Sequence, residues 1–559
     1  MNPRANKLLL LSSSLLTCAL LTTAAYQENV QQEWRRLQRQ YRKALPADAA
    51  GAFKVQLRQI VVPALGVTDR CVSCHVGMAS GESGVEGNRV FARHPRVPHD
   101  PTEYGCTICH GGQGRATEKA AAHGDVHFWP EPMLPRRFAY AGCGTCHTHV
   151  AVPRAVHLAG GRLLIERADC LACHRLDGRG GTLRPGGAGG MEGPDLSRLG
   201  ATGVPPSWYG QHVARRDSTG STAWRVSFAD LTAADREAIT EYLGSRVGAP
   251  GLVEAKAAFN SLGCRGCHKV HGVGGDDGPD LSRIGSADPG QRNFSQVPEP
   301  HTLANWFAEH FRAPARVVPG SAMPELGLAE SQIDSLTFYL LSLRESRIPE
   351  AYWPMDRIRA LRFGAREFTA DGATLYGTFC AACHGTRGQG MRYPGAPAFP
   401  AIGSADFLAL ADDAFLRATV MHGRKGRRMP PWGESTGGLR PAEIDSVVAY
   451  LRHMGGTPYE PDSRPRRWVS ADPGPGRDLY AANCQRCHGA KGEGSEGPAL
   501  AEPTLLASAT DTYLVETVRR GRRGTSMEGF STSSSVRRAL NLSEIESIVA
   551  FMRTWEAHP

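Results

Sequence analysis

The chain begins with a long, uninterrupted apolar stretch. Arg4 and Lys7 precede the run from Leu8 to Ala25, which has 18 residues and no charged side chain. This length suits a short membrane-spanning helix and exceeds the apolar core of a usual signal peptide. Small residues at Thr23 and Ala25 would also suit cleavage. Both interpretations require export of the rest of the chain, and we favour a retained anchor.

A short amphipathic helix is predicted next, in the sequence EWRRLQRQYRKAL from Glu33. Four apolar residues fall on one helical face: Trp34, Leu37, Tyr41 and Leu45. Basic residues surround this face. Such a helix can lie on a lipid surface or pack on a neighbouring subunit, and the sequence leaves both open.

A pair of helical segments recurs four times in the rest of the chain. The opening segments are GGRLLIERADC, VEAKAAFNSLGC, DGATLYGTFC and GRDLYAANC. The closing segments are TAADREAITEYL, AESQIDSLTFYLLSL, RPAEIDSVVAYL and NLSEIESIVAFM, with matching aromatic residues at Tyr242, Tyr339, Tyr450 and Phe551. Capping-box sequences begin the closing segments at Thr232 and Asn541. The repeat therefore predicts four units, each of helix, loop and helix.

Each opening segment leads into one pentapeptide motif, Cys-x-x-Cys-His. Seven copies account for 14 of the 15 cysteines and begin at Cys71, Cys106, Cys143, Cys170, Cys264, Cys380 and Cys484, so that only Cys18 is left over. Two thiols at this spacing can reach both vinyl groups of a haem, while the adjacent imidazole turns onto the iron. Chance would give on the order of 0.01 copies in such a chain. The sequence therefore predicts seven covalently bound haems c.

The predicted haem-binding residues follow directly from the motif. The thiols expected to attach haem are Cys71, Cys74, Cys106, Cys109, Cys143, Cys146, Cys170, Cys173, Cys264, Cys267, Cys380, Cys383, Cys484 and Cys487. The expected proximal iron ligands are His75, His110, His147, His174, His268, His384 and His488. Zinc sites also use Cys-x-x-Cys pairs, but they need an even number of pairs and no histidine after each one. Zinc and a disulfide framework are therefore disfavoured.

The formal charge of +9 does not indicate a nucleic-acid partner. Each ferric haem brings two propionates against one net positive charge at the iron centre, so seven haems contribute about −7. The holoprotein is then nearly neutral. Basic clusters at 424–428 and 519–523 can form local docking patches or simply a solvated surface.

Short segments between the helices contain a recurring Gly-Pro pair: GPDLSRLG from Gly193, GPDLSRIG from Gly278 and GPAL from Gly497. With the order helix, pentad, loop, helix, residues 160–557 resemble class I cytochrome c domains. In that family a proline carbonyl at this place accepts the hydrogen bond of the iron-ligating histidine. The resemblance assigns this role to Pro194, Pro279 and Pro498. The repeat at Cys380 has GAPAFPAIG instead, where we expect Pro397 to take the role.

The same resemblance implies a methionine on the distal side of the iron, which raises its potential relative to two imidazoles. Met323 in VPGSAMPEL is expected to serve the Cys264 pentad. Met429 in RRMPPWGE is expected to serve the Cys380 pentad, and Met527 in GTSMEGF the Cys484 pentad. Core packing is the ordinary alternative for any methionine.

The repeat at Cys170 departs from this pattern. Aligning Trp208 with Trp306 places Ala223 where Met323 stands. The sixth ligand therefore stays open: Met191, His212, a residue of another module, or none. An empty distal site would suit small-ligand chemistry, and a relay haem with an unrecognised ligand is the preferred interpretation.

The first three pentads are packed into 77 residues, from Cys71 to His147, without room for helical units of this kind. Six histidines outside the pentads crowd into or just after this region: His94, His99, His123, His127, His149 and His157. Three haems need three distal ligands, so we expect bis-histidine coordination with lower potentials than His/Met sites. His94, His99 and His123 are the first candidates, and Met133 competes with them.

Residues 33–150 carry a second resemblance. The segments DRCVSCHVGM, HPRVPHDPTEYGCTICHGGQGRAT and FAYAGCGTCH resemble the trihaem part of multihaem cytochromes that accompany bacterial cytochrome b and Rieske quinol-oxidising complexes. The resemblance implies such a complex as the electron donor.

The expected fold is mainly α, with an N-terminal membrane helix, a loop-rich trihaem head and four class I cytochrome c-like helical domains. The predicted boundaries are 1–25 for the anchor, 26–65 for the amphipathic helix and linker, 66–158 for the trihaem domain, and 159–248, 249–348, 349–465 and 466–559 for the cytochrome c domains.

The expected function is electron transfer at the periplasmic face of the cytoplasmic membrane, with the N-terminal helix in the membrane or, if it is cleaved, in soluble form. The donor would be a cytochrome b/Rieske complex, and the acceptor a soluble cytochrome or an oxidase. No catalytic residues and no nucleic acid are expected, because electron transfer needs neither a general acid nor a nucleophile. Two alternatives stay open. One is a haem enzyme, peroxidase-like or nitrogen-oxide-reducing, at the Cys170–His174 pentad, and the other is a docking scaffold between respiratory complexes.

Overall fold

The computed structural model describes residues 3–556 except 128, 182–192, 206, 209–210, 212–229, 346, 395–397, 425–427, 524 and 536. The described chain is mainly helical, as predicted. It contains two small antiparallel hairpins: Ile60–Val62 with Val67–Asp69, and Arg175–Leu176 with Arg179–Gly180.

The N-terminal apolar run forms a helix, Pro3–Asn29, none of whose residues is buried against the rest of the chain. Among the described residues it is the one helix long and apolar enough to cross a membrane. A signal sequence would pass the same test. The helix is therefore a candidate membrane anchor.

The amphipathic segment forms the helix Glu33–Lys43, and its apolar face is buried inside the chain itself. Tyr41 packs against the ring of Phe53 and donates a hydrogen bond of 2.5 Å to the carbonyl of Ser83. Trp34 is buried as well. Both expectations for this face, a lipid surface or a neighbouring subunit, are therefore wrong, because the trihaem head supplies the apolar partner.

The head is built mostly from short turns. Its α-helices are Ala47–Ala52, Pro101–Tyr104, Thr107–His110 and Lys119–His123, and its 3-10 turns are Pro63–Leu65, Cys71–Ser73, Val76–Met78 and Arg136–Thr145. The buried carboxylate of Asp69, just before the first pentad, accepts hydrogen bonds from the backbone N–H and hydroxyl of Thr107 at 2.9 and 2.8 Å. This contact ties the first two pentads together.

The four predicted helix pairs are confirmed. The opening helices are Ala155–Arg167, Leu252–Ser261, Gly372–Phe379 and Pro473–Asn483, and each packs on its closing helix, Ala233–Gly244, Glu330–Ser342, Pro441–Gly455 or Leu542–Arg553. The capping boxes at Thr232 and Asn541 form as predicted.

A small residue allows each helix pair to cross closely. A Cβ atom on Gly476 would lie 1.9 Å from the carbonyl oxygen of Ser547 on the closing helix, and Gly161 and Gly372 are equally confined. In the Cys380 and Cys484 repeats, a tyrosine four positions later packs across the crossing, as in the pair Tyr480 and Phe551 with ring centres 5.7 Å apart. The crossing therefore requires a glycine or, in the Cys264 repeat, Ala255.

The remaining elements lie between and around these pairs. The helices are Leu303–Arg312, Pro314–Val317, Met355–Phe363, Ala381–His384, Ala405–Leu408, Asp413–His422, Gln485–His488, Pro503–Ser508 and Asp511–Arg520. The 3-10 turns are Cys170–Ala172, Leu199–Ala201, Cys264–Gly266, Ile284–Ser286, Pro289–Gln291 and Glu350–Tyr352.

The domains are not independent bodies. Leu134, Phe138 and Val150 of the head belong to one hydrophobic cluster with the Cys264 domain. A second cluster joins the Cys380 domain, through Phe415, to the Cys484 domain, through Tyr513. Sharing a core in this way compensates for the little apolar surface that each short unit can bury alone.

Candidate haem sites

Every pentad forms one helical turn. The backbone N–H of its histidine donates to the carbonyl of its first cysteine at N–O distances of 2.9 to 3.0 Å in all seven copies. Residues three and four positions apart then share one face, so both thiols and the imidazole point the same way. None of the cysteines is in a disulfide. The pentads therefore fit covalent haem c.

A backbone carbonyl orients the proximal histidine in the four C-terminal domains. Nδ1 of His174 lies 2.8 Å from the carbonyl oxygen of Pro194. His268 makes the same contact with Pro279 at 2.9 Å, and His488 with Pro498 at 2.8 Å. A proton held on Nδ1 leaves Nε2 as the metal-binding nitrogen. These three partners are the ones that the resemblance assigned.

The Cys380 domain differs from its expectation. Pro397 lies outside the described residues, and Nδ1 of His384 instead faces the carbonyl oxygen of Pro400 at 2.9 Å. Met391 and Phe399 form a β-bridge that shapes the loop before this proline. In GAPAFPAIG it is therefore the carbonyl of the second proline, Pro400, that faces the proximal histidine.

The glycine before the proline has a steric reason. A Cβ atom on Gly193 or Gly278 would lie 2.4 Å from the ring of His174 or His268, and one on Gly497 would lie 2.8 Å from His488. The two residues of the Gly-Pro pair therefore act together. The glycine leaves space for the histidine ring, and the proline carbonyl orients that ring.

The head arranges its histidines as facing pairs. Ring centres are 6.5 Å apart for His75 and His123, with the rings 14° from parallel. They are 6.0 Å apart for His110 and His94, and 6.4 Å apart for His147 and His99. One iron held by two imidazole nitrogens at about 2.0 Å each would place the ring centres about 6.3 Å apart. Each head pentad thus has a second histidine whose ring lies at about the separation that a shared iron would require.

The other candidates in this region are used differently. His149 stacks on His271 with ring centres 4.3 Å apart, and Nδ1 of His157 lies 3.0 Å from a carboxylate oxygen of Glu241. His127 is exposed. Met133 donates its backbone N–H to the carbonyl of His123. The described side-chain contacts of His149 and His157 are thus with groups other than a proximal histidine.

The proximal partners in the head are unlike each other. Nδ1 of His75 lies 3.2 Å from the carbonyl oxygen of Val90. Nδ1 of His147 instead lies 3.0 Å from Oδ1 of Asp356, which the sequence places in the Cys380 domain. Both side chains of this second pair are buried.

The predicted distal methionines lie on loops after a helix. Asp413–His422 and Asp511–Arg520 each end at a glycine, and the next residue donates its backbone N–H to the methionine carbonyl: Arg424 to Met429 at 2.9 Å and Arg522 to Met527 at 2.8 Å. The two loops therefore have the same local construction. Met323 packs on the core shared by its domain and the head.

The Cys170 site stays open. Met191, His212 and Ala223 all lie outside the described residues. What is described is the proximal half, His174 with Pro194.

No role was predicted for His310. Its ring stacks on Trp306 with centres 5.0 Å apart and planes 8° from parallel. Burial, together with nearby His268 and Arg292, lowers the pKa of His310 to about 4. It is therefore a neutral side chain near the proximal histidine of the Cys264 pentad at physiological pH.

Several pentads touch each other directly. The thiol of Cys106 lies against that of Cys71, and this contact raises the pKa of Cys106. Cys383 and Cys267 are paired in the same way. These thiols stand in for the thioether sulfurs of bound haem. The backbone of Gly142 packs on the carbonyl of Cys109, where a Cβ would come within 1.7 Å, and so joins the second and third pentads.

A buried charge cluster lies where the head, the Cys264 domain and the Cys380 domain meet. The carboxylate of Glu367 contacts the ammonium of Lys256, the guanidinium of Arg265 at 3.0 Å and Nδ1 of His271 at 2.6 Å. Burial alone would raise the pKa of Glu367, but these groups outweigh it and hold the pKa well below its ordinary value. The guanidinium of Arg265 and the ammonium of Lys256 already occupy this carboxylate, which disfavours a metal ion there.

Sequence reasoning missed Asp356, Glu367 and the glycines of the helix crossings. The glycines could have been found from the sequence, because each lies four residues before a large side chain. That side chain is a tyrosine after Gly372 and Gly476, and Ile165 after Gly161. Asp356 had none, because its partner lies 209 residues away in the chain.

Family comparisons agree with this construction. Residues 367–451 and 471–552 match the family described as Cytochrome C oxidase, cbb3-type, subunit III, and residues 252–344 match Cytochrome c. Together with the repeated pentads, these matches decide the class. The chain is a multihaem c-type cytochrome.

Curated relatives resemble part of this cytochrome. The Cbb3-type cytochrome c oxidase subunit FixP of Bradyrhizobium sp. (strain ORS 278) is 33% identical over 164 residues, which are 28% of this chain and 52% of the relative. Subunit CcoP of Rhodobacter capsulatus is 27% identical over 194 residues, 33% of this chain and 61% of the relative. The cytochrome thus spans about half to three-fifths of the length of these relatives.

Among the solved structures that match is a reducing HAO-like protein complex of Kuenenia stuttgartiensis. It is 19% identical and covers 34% of this chain and 97% of that chain, with a TM-score of 0.22. A score this low carries no argument about fold.

Proposed function

We propose that this cytochrome binds seven haems c, numbered 1 to 7 in pentad order, and conducts electrons from a quinol-oxidising cytochrome b/Rieske complex to an oxidase or a soluble cytochrome. The observation that carries the proposal is the set of three facing histidine pairs in the head, with ring centres 6.0 to 6.5 Å apart. Haem iron supplies reversible one-electron transfer when bound. The protein sets where and at what potential this takes place.

Ligand type gives the proposed direction. His123, His94 and His99 would complete bis-histidine sites in the head, whereas Met323, Met429 and Met527 would complete His/Met sites in the C-terminal domains. A thioether stabilises the ferrous iron more than a second imidazole does. Electrons therefore move from the head toward the C-terminal domains.

Direct packing supports the order of transfer. The first two pentads meet at Cys71 and Cys106, and the third packs on Cys109 through Gly142. The backbone of Gly144, inside the third pentad, packs on the carbonyl of Ser342 in the Cys264 domain. The Cys264 and Cys380 pentads then meet at Cys267 and Cys383. The proposed path is haems 1, 2, 3, 5, 6 and 7.

Haem 4 lies beside this path. Its domain packs its own core, and it touches the head where Gly248 meets Pro98. It also reaches the Cys264 domain through the ion pair of Arg246 and Glu254 at 2.8 Å. We assign it a side position and leave its distal ligand open.

The C-terminal pair of domains is the proposed exit. Their similarity to oxidase subunits FixP and CcoP supports an oxidase as acceptor. Cys487 is the exposed one among the pentad cysteines, whereas the others are partly covered. An accessible last pentad suits delivery to a partner protein.

The proposed location of the protein rests on its N-terminal helix. We propose that Pro3–Asn29 is retained in the cytoplasmic membrane and holds the haem domains on its periplasmic face. Haem attachment to this motif outside the cytoplasm supports the same side. The head, next to the anchor, is then the end nearer a membrane-bound donor.

Two measurements test the proposal. Peptide mass mapping of the purified protein should find haem on all seven pentads. In membranes that contain the native partners, the variant with Cys143→Ala and Cys146→Ala should still accept electrons from quinol into haems 1 and 2, while haems 5 to 7 stay oxidised. Reduction of haems 5 to 7 at the wild-type rate in this variant would contradict the path.

A further inference from the structure

The third head pentad has a proximal partner unlike any other that the structure describes. Nδ1 of His75, His174, His268, His384 and His488 faces a backbone carbonyl. Nδ1 of His147 faces a carboxylate oxygen of Asp356 at 3.0 Å. The side chains are only 6% and 8% exposed. We infer that Asp356 is a positioning residue that lowers the reduction potential of the haem bound at Cys143 and Cys146.

The contact is made by a fixed side chain. Asp356 lies in the first turn of the helix Met355–Phe363, which follows directly on the turn Glu350–Tyr352. Tyr352 of that turn packs edge-on against Tyr104 of the head, with ring centres 5.8 Å apart. The helix is thus anchored on the head, and the carboxylate is held at the imidazole rather than reaching it by chance.

The second carboxylate oxygen strengthens this interpretation. Oδ2 of Asp356 is buried and has no hydrogen-bond partner among the described residues. Within the described chain the carboxylate therefore accepts its hydrogen bond from His147, and a charged acceptor makes a stronger hydrogen bond than a neutral one. The imidazole N–H of His147 therefore receives a stronger acceptor than a carbonyl provides.

The chemistry follows from charge. A carboxylate partner increases the basicity of a metal-bound imidazole, and a more basic ligand stabilises ferric iron relative to ferrous iron. No atom is transferred and no bond is broken in this effect. The haem at Cys143 should therefore have a lower potential than the haem at Cys71, whose His75 faces the carbonyl of Val90.

This inference rests on the proposed ligation of haem by the head pentads, and it adds something that ligand identity alone does not predict. If only the facing histidines mattered, haem 3 with His99 and haem 1 with His123 would have similar potentials. The carboxylate of Asp356 makes the potential of haem 3 lower than that of haem 1. The separation also places the lowest potential of the head at the pentad that packs on the Cys264 domain, so that an electron must cross a low-potential site before it enters the C-terminal domains.

The test is a potentiometric titration of the full-length holoprotein, followed by optical and electron paramagnetic resonance spectroscopy. Asp356→Asn keeps the shape of the side chain and removes its charge. We expect one head haem to gain at least about tenfold in its ferrous-to-ferric equilibrium, which is about 59 mV for a one-electron couple. The low-spin signal of the same haem should shift its g values.

Two further variants separate the hydrogen bond from general electrostatics. Asp334→Asn is the matched control, because Asp334 is an exposed carboxylate beside the head that pairs with Arg137 at 3.6 Å. It should leave every potential unchanged. Asp356→Glu keeps a carboxylate, so the potential of this haem should lie close to its wild-type value. Equal shifts in the Asp334 and Asp356 variants would overturn the inference.

A wild-type measurement keeps the inference testable if Asp356→Asn does not fold. One of the three bis-histidine signals should titrate below the other two. Three coincident potentials would overturn the inference while leaving the proposed ligation intact. Peptide mapping that found no haem on Cys143 and Cys146 would instead overturn the proposed function, and the inference with it.

Discussion

The head and the C-terminal pair of domains use the same pentad in two different scaffolds. In the C-terminal domains, crossed helices and a proline carbonyl in a loop hold the proximal histidine, and a loop after a helix carries the methionine. In the head, short turns carry both the proximal histidine and a histidine that faces it. On the proposed ligation, the pentad attaches the haem, whereas the scaffold around it supplies the second ligand and so sets the potential.

Replacing a methionine by histidine should convert one C-terminal site into a site of the head type, and this is the largest effect we expect. In Met429→His, the potential of haem 6 should fall by on the order of 0.2 V, within the roughly 0.8 V that axial ligands span. Optical potentiometry measures this change. Met421→Leu is the matched control. Met421 lies near the end of the helix Asp413–His422 and packs on the same core as Met429, so this variant should leave the potential unchanged. An unchanged potential in Met429→His would refute ligation by Met429.

Removing a distal histidine should open a head site. In His123→Ala, one haem should lose its sixth ligand and give a high-spin ferric signal, because the ring that faces His75 is removed. Electron paramagnetic resonance detects this signal. The exposed His127 provides the control, and His127→Ala should show no more high-spin signal than the wild type. If His123→Ala also showed no more high-spin signal than the wild type, the pairing of His75 with His123 would not be ligation.

The junction between the two regions should be sensitive to charge. Glu367→Gln leaves Lys256 and Arg265 buried without their carboxylate, which typically costs about 3–5 kcal/mol. Denaturant unfolding of the holoprotein measures the loss. Glu330→Gln is the control, because Glu330 pairs with Arg312 at the surface and should change nothing measurable. Equal stability of the two variants would show that the buried cluster contributes little.

The smallest effect concerns pH. Burial lowers the pKa of His149 to about 4, whereas an unfolded histidine titrates near 6.5. The unfolded chain therefore binds a proton that the folded chain excludes, so stability is fully present above about pH 6.5 and is lost as pH falls toward 4. His149→Gln should reduce the slope of stability against pH in this window by up to one proton. The exposed His301 serves as control, and a slope that His149→Gln leaves unchanged would contradict the assignment.

Sequence reasoning reached some features more easily than others, and the reason is distance along the chain. The pentads, the helix pairs and the capping boxes at Thr232 and Asn541 are local patterns, and the structure contains them. Pro279 was assigned correctly because it lies 11 residues from His268 in a recognisable loop. The Cys380 loop offered two prolines at similar distances, so the choice between Pro397 and Pro400 needed the backbone geometry.

Contacts between distant segments could not be predicted from local patterns. The amphipathic helix had a clear apolar face at Trp34 and Tyr41, but the sequence could not say that the head would cover it. The same holds for Asp356 at His147 and for Glu367 with Lys256, since each partner lies in another domain. The domains were predicted as separate units because their shared cores, such as Phe415 with Tyr513, join residues 98 positions apart.

The central claim is that the head is the low-potential end of the cytochrome and the C-terminal domains the high-potential end. A potentiometric titration of the wild-type holoprotein, monitored by electron paramagnetic resonance, tests it most directly. The account predicts three bis-histidine signals that titrate below the three His/Met signals of Met323, Met429 and Met527. Bis-histidine signals that titrate above the His/Met signals would contradict it and reverse the direction of electron flow.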